Sequence, residues 1–227
     1  MGHFINHIQS ITEGKMGITE RKEREKERRR NDIVDAAEKI FFTKGRVLAT
    51  MDDVAEQAEL SKGTLYLYFK NKEDLYLAIN LRGMEILYRF FTEAIKKHKT
   101  GFEKVYAIGK TYYQFYKKYP DYFIALMYFE SNEMDLFNEQ SMAAKCKQLG
   151  HDALVILIQA IEFGIKDGSI RSDIDPVKAA TVLWGQSTGL IQLISTKGEH
   201  LQDDHGLNLN ELIDYGFEMI GHSLQKK

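Results

Sequence analysis

Apolar residues in this chain recur at three- and four-residue spacings nearly throughout, the signature of amphipathic helices. From Asn31, the residues Ile33, Ala37, Ile40 and Phe41 fall at i, i+4, i+7 and i+8 on one helical face. Gly45 is expected to end that helix, with Lys44 in the last turn, where a cation complements the macrodipole. Thr50-Met-Asp-Asp53 then reads as a capping box with Asp in place of the usual Glu, and Met51, Val54, Ala55 and Ala58 mark the inner face of a short helix. The stretch LYLYF (65–69) alternates like a strand, but a lone strand has no neighbour to pair with. With Ser61 as N-cap, Leu65 and Phe69 become i and i+4 of a short helix and point together into a core. Asn71-Lys-Glu-Asp74 caps the next helix at once. Long helices follow near 72–97, 102–118, 121–130, 133–149, 151–167, 176–195 and 208–224, with Asp175-Pro176 supplying an N-cap and a proline at N1. KDG (166–168) and TKGEH (196–200) read as turns. The expected fold is all-α: three short helices, then a larger helical domain.

Composition changes this picture little. The chain has 227 residues, 44% of them hydrophobic, which suffices for a buried core. The net charge of −2 gives no global sign of a polyanionic partner, so charge has to be read locally. TERKEREKERRR (19–30) carries seven basic and four acidic residues on an expected exposed helix. Residues 1–18 show no clear helical period and no signal-peptide pattern, and are expected to be a disordered leader. The remaining expected divisions are a domain over 19–75 and another over 76–227. Cys146 is the single cysteine, which excludes an intrachain disulfide and fits a reducing cytoplasm. No continuous apolar run approaches the roughly eighteen residues of a membrane span, and no membrane partner is expected. Gly-rich phosphate loops, Cys/His clusters and placed nucleophile–base pairs are all absent, so no cofactor or metal is expected and enzyme classes that need them are disfavoured.

The segment SKGTLYLYFKNK (61–72) holds three lysines and no acid. Two short helices joined by a tight turn form a helix-turn-helix, which lays the start of its second helix in the DNA major groove. Lys62 and Thr64 can then reach base edges or phosphates, while the hydroxyls of Tyr66 and Tyr68 suit phosphate oxygens. Backbone N–H groups near Thr50, Ser61 and Lys72 offer anion sites. Residues 31–79, with F-x-x-K-G, T-M-D-D-V-A and S-K-G-T-L-Y-x-Y-F-x-x-K-E-x-L in register, resemble the N-terminal domain of the tetracycline-repressor (TetR/AcrR-like) regulators. The resemblance implies phosphate contacts from Thr50, Tyr66, Tyr68 and Lys72, and base-facing roles for Lys62, Gly63, Thr64 and Leu67. Two positions depart from the family pattern: Glu59 stands where glycine is usual, and Leu67 replaces a polar or aromatic residue. The resemblance also implies an all-α dimer whose larger domain binds a small ligand.

In that larger domain the aromatic residues crowd between Tyr106 and Phe137. A helix that is apolar all round is a central helix, as expected for 102–118. The many tyrosine hydroxyls, which need partners when buried, favour an aromatic pocket built from Tyr112, Tyr113, Phe115, Tyr116, Phe123, Met127 and Trp184. Glu130 and Glu133 are expected at the surface. The apolar helices 153–165 and 182–194 are expected to form a homodimer interface through Leu154, Ile158, Ile161, Gly185, Gly189 and Gln192, as the resemblance implies. The functional expectation is a regulator, most simply a repressor, that binds a palindromic double-stranded DNA operator and is released by a bulky, largely apolar effector. The alternative is a helical ligand-binding or adaptor protein without operator binding; an enzyme is the more distant rival.

Overall fold

The structure, a computed structural model, describes residues 2–131 and 141–225, with side chains described for 20–129 and 141–225. Among the described residues every regular element is helical: α1 (Gly2–Leu48), α2 (Met51–Gln57), α3 (Lys62–Tyr66), α4 (Lys72–Lys96), α5 (Gly101–Lys118), α6 (Pro120–Ser131), α7 (Met142–Asp167), α8 (Pro176–His205) and α9 (Leu209–Leu224). They divide into two compact units, Met1–Ile79 and Asn80–Lys227. Helix α4 begins in the first and ends in the second.

In the first unit α2 packs on α1 and on α3. Ile33, Ala37, Val54, Leu65, Phe69, Leu75 and Ile79 are almost fully buried there. The expected helical spacing in α1 therefore faces the core. Residues 2–18, expected as a leader, continue α1 as helix. Phe4, Ile8 and Ile11 stand at i, i+4 and i+7 and no proline interrupts the run, although Gly14 and Gly17 weaken it. At the other end Gly45 leaves the helical path (φ 75°, ψ 156°). Such a φ favours glycine.

In the second unit α5 is central, packed against α6, α7, α8 and α9. Its first turn is tied to the end of α7: Gly101 N–H donates to Asp167 Oδ2 at 2.8 Å and Phe102 N–H to Ser169 Oγ at 3.1 Å. The two helices meet so closely that a Cβ on Gly101 would lie 2.1 Å from the Gly164 nitrogen. Only glycine fits there. Asp175 caps α8 as expected, accepting from the amides of Val177 and Lys178 at 3.0 Å.

Two helix boundaries differ from the pattern. The breaks expected at 149–151 and at TKGEH do not occur, because a glycine inside an apolar-periodic run is tolerated when packing supports the helix. Gly198 illustrates this, being buried close to Leu209. The actual stop of α8 is Gly206, in the left-handed region at φ 63°. Helix α7 is long and apolar enough, by length and composition alone, to cross a membrane. Here it packs on α5 and α8.

Candidate functional site

In the first unit the helix-turn-helix is built from local caps. Thr50 Oγ1 accepts from Asp53 N–H at 3.1 Å, while the Asp53 carboxylate accepts from Thr50 N–H at 2.9 Å and from its hydroxyl at 2.8 Å. Lys44 Nζ, 2.7 Å from Asp53 Oδ1, and the Thr50 hydrogen bonds hold that carboxyl down at about 2 from the ordinary 3.8. The turn after α2 is a Schellman arrangement. Glu59 N–H donates to Glu56 O at 3.0 Å and Leu60 N–H to Ala55 O at 2.9 Å. Glu59 itself sits at φ 54°, the one described non-glycine residue with positive φ. The sequence departure at Glu59 is thus a true left-handed position.

Ser61 Oγ accepts from Thr64 N–H at 3.1 Å and shares a 2.8 Å hydrogen bond with the Thr64 hydroxyl. This starts α3 and aims its outer face. Leu65 and Phe69 are 0% exposed, whereas Tyr66 is 50% and Leu67 81% exposed. Tyr68 is half-buried and Gly63 exposed. A Cβ on Gly63 would meet only Ser61 Oγ, at 3.9 Å. The protein's own packing therefore does not demand glycine there. The guanidinium of Arg30 lies 4.9 Å from the centre of the Phe69 ring.

Two lysines are less free than the sequence suggested. Lys62 Nζ lies 2.6 Å from Asp52 Oδ2, an exposed ion pair that raises the lysine's pKa. Lys72 Nζ donates to the carbonyls of Arg46, Val47 and Ala49 at 2.9, 3.3 and 3.1 Å. All three ammonium protons are used. Lys72 thus satisfies the carbonyls where the chain leaves α1, and what remains at its position for an anion is the backbone N–H at the start of α4. No sequence signal pointed to that role, because its acceptors lie more than twenty residues away.

The second unit contains a cavity of ≈360 Å³ that opens to solvent on one side, within the range of small-molecule sites. Its wall draws on α4 (Met84, Leu87, Phe91), α5 (Val105, Tyr112), α7 (Leu154, Leu157), α8 (Leu183, Trp184) and α9 (Phe217, Leu224). Of the seven residues expected to line a pocket, only Tyr112 and Trp184 do so. Phe115 and Phe123 are 0% and 1% exposed and belong to the core. Tyr113 turns its hydroxyl to Asn210 (3.1 Å) and stacks on Tyr116, which meets Phe123 edge-on. Met127 is half-buried off the wall. These four aromatic residues are packing, whereas Tyr106, Tyr112 and Phe129 of the same cluster join Phe91, Phe102, Phe217 and aliphatic side chains on a wall that is apolar and partly aromatic. Tyr112 contributes its ring while its hydroxyl pairs with Thr188 Oγ1 at 3.2 Å. The spacings of Met84, Leu87 and Phe91 on α4 and of Phe217 and Leu224 on α9 were visible, but a helical face reads alike whether it meets side chains or a void. Glu133 and Phe137 lie outside the described residues, as does the side chain of Glu130. Burial pushes the Cys146 thiol up to about 12, so it stays protonated.

The expected dimer residues separate. Ile161 is 0% exposed inside the protomer, Leu154 lines the cavity and Ile158 is half-buried. The 153–165 stretch of α7 thus turns part of its apolar face to α5, α8 and the cavity, while Phe163 stays 42% exposed. Gly185, Gly189 and Gln192 remain exposed on α8, and neither glycine has a neighbour within 4 Å of a Cβ. Beside them Trp184 and Leu193 are 43% and 45% exposed, and on α9 Tyr215 and Met219 are 61% and 60% exposed.

Residues 33–79 match the model of the bacterial regulatory proteins of the tetR family. Over 156 residues the chain is 30% identical to an uncharacterized HTH-type transcriptional regulator, YhgD, of Bacillus subtilis, covering 68% of this chain and 78% of that one. It is 26% identical over 154 residues to the fatty acid metabolism regulator protein of the same organism, covering 67% and 76%. Among solved structures, the transcriptional regulator FadR from Bacillus subtilis in complex with stearoyl-CoA superposes with a TM-score of 0.65 at 23% identity, covering 83% of this chain and 96% of that one. That likeness shows the shared fold. With the helix-turn-helix in register and the similarity running on into the second unit, the chain belongs to the tetR family and is a transcriptional regulator, not an enzyme.

Proposed function

We propose that this regulator is a cytoplasmic homodimeric repressor released from its operator by an effector with a long apolar tail. The observation that carries the effector assignment is the largely apolar cavity of the second unit. A relative named for fatty acid metabolism and a similar fold solved with stearoyl-CoA agree with it.

The first unit is assigned to DNA. Lys62, Gly63, Thr64 and Leu67 face the bases: open space over Gly63 lets the duplex approach closely, and the exposed Leu67 suits a thymine methyl. Thr50, Ser61, Tyr66, Tyr68 and the Lys72 backbone N–H hold phosphates. Lys62 exchanges its Asp52 partner for DNA on binding. The pair is exposed, so the exchange is cheap.

The second unit is assigned to the effector and to dimerisation through the outer faces of α8 and α9, where apolar side chains and uncovered glycines have no partner in the protomer. A two-fold dimer places two recognition helices about 34–36 Å apart on a roughly palindromic site. An effector that prefers a dimer of different spacing shifts the population away from DNA, by no more than its differential affinity for the two forms. Helix α4 runs from one unit into the other, with Met84, Leu87 and Phe91 on the cavity wall. It is therefore the element through which occupancy acts. Binding to the DNA upstream of the protein's own gene, measured by fluorescence anisotropy with and without palmitoyl-CoA, tests the proposal. Salt-dependent, sequence-specific binding that weakens on adding the ligand is expected; binding no tighter than to random DNA would refute operator recognition.

A further inference from the structure

The wall of the cavity carries an uneven charge. Lys147 and His151 stand at i and i+4 on α7, both exposed and both on the wall. Among the described residues no Asp or Glu lines it, and the others on the wall are apolar, aromatic or neutral. Neither Lys147 nor His151 forms a hydrogen bond or ion pair with a described residue. Two described acids lie near in sequence or space, and neither forms an ion pair with Lys147 or His151. Glu85 acts on the Cys146 thiol but is off the wall, and Asp152 accepts from the Gln148 amide at 2.8 Å.

An ammonium that no described carboxylate binds, at the edge of an apolar cavity, attracts an anion and gives a neutral head nothing comparable. The ring N–H of His151, one turn on along the same helix, supplies a second donor on the same wall. Because both residues are exposed, the head can keep part of its hydration while the tail is buried.

We infer that the effector is an amphiphile with an anionic head, carboxylate or phosphate, held at the rim by Lys147 and His151 while its apolar tail fills the cavity. This rests on the effector reading above and specifies its head group.

Trp184 is the only tryptophan of the chain and lies on the wall, so its fluorescence reports occupancy without DNA. Palmitate, palmitoyl-CoA and hexadecanol share a tail and differ in the head, and each is titrated into the full-length protein below its micelle concentration. Hexadecanol is expected to bind at least about tenfold more weakly than the better anionic ligand, the scale of one charge-assisted hydrogen bond. Added salt should narrow the gap. Lys147→Gln should narrow the preference with hexadecanol affinity unchanged, and Lys147→Glu should narrow it further. Tight palmitate binding identifies a carboxylate head; a preference shown by palmitoyl-CoA alone identifies phosphates. Hexadecanol binding as tightly as both anions, or Lys147→Gln weakening all three equally, would overturn the head-group assignment and leave the apolar-tail effector standing. If none of the three alters Trp184 emission or DNA binding, the effector reading fails and this inference with it. Unchanged circular dichroism of the variants shows that the exposed substitutions leave the fold intact.

Discussion

Glu59→Gly is expected to stabilise the helix-turn-helix without altering what it reads. Glu59 occupies the C′ position of the Schellman turn after α2, at φ 54°. There the Cβ of an L-residue crowds the following carbonyl, at a cost of about 1–2 kcal/mol. Glycine removes that cost but loses more backbone freedom on folding, offsetting about 0.5–1 kcal/mol. The two turn hydrogen bonds, Glu59 N–H to Glu56 O and Leu60 N–H to Ala55 O, are backbone bonds that glycine retains. The net gain is therefore about 0.5–1 kcal/mol, a factor of about two to five in the opening equilibrium. Native-state hydrogen exchange at Leu65 and Phe69, whose amides both bond within the α3 turn, reads that factor directly. Glu59→Ala is the control: it keeps the Cβ and should change protection little. Equal protection gains in both variants would show that the glutamate side chain, not the backbone, is the source of the effect. Reduced protection in Glu59→Gly would show that the turn is not strained.

Three further outcomes follow from the geometry. Lys72→Met should destabilise the first unit by about 1–2 kcal/mol, because the last carbonyls of α1 lose a charged donor but keep some access to water. The salt slope of DNA binding should stay constant, and a slope reduced by about one would show that the ammonium meets a phosphate instead. The Asp53 pKa is depressed from 3.8 to about 2, so its cap contributes fully above pH 3.8 and is lost as pH falls through 2. The stability difference between wild type and Asp53→Asn should shrink over that window in acid titrations followed by circular dichroism, and a constant difference would contradict the assigned hydrogen bonds. Gly189→Arg meets nothing within its own protomer, so it should fold normally and sediment as a monomer; an intact dimer would move the interface off this face of α8.

What the sequence determined alone is what a few neighbouring residues decide. The Thr50 and Ser61 caps, the Leu65/Phe69 pair beneath an apparent strand, the left-handed Glu59 and the Asp175-Pro176 helix start are set by hydrogen bonds and sterics within about five residues, so their chemistry is written locally. The all-α architecture and the family register follow from the same short-range periodicity. Tertiary structure decided the rest. Whether Phe115 is core and Leu157 is cavity wall depends on helices distant in sequence, because both occupy equally apolar helical faces. Lys72 reads as a free cation until the fold brings the carbonyls of Arg46, Val47 and Ala49 to it. The apolar 153–165 stretch of α7 reads as a dimer seam until α5, α8 and the cavity are seen to take up part of its face, while apolar side chains stay exposed on the outer faces of α8 and α9. Periodicity reports that a face is apolar; only the packing of the whole chain determines whether that face meets its own core, a void or solvent.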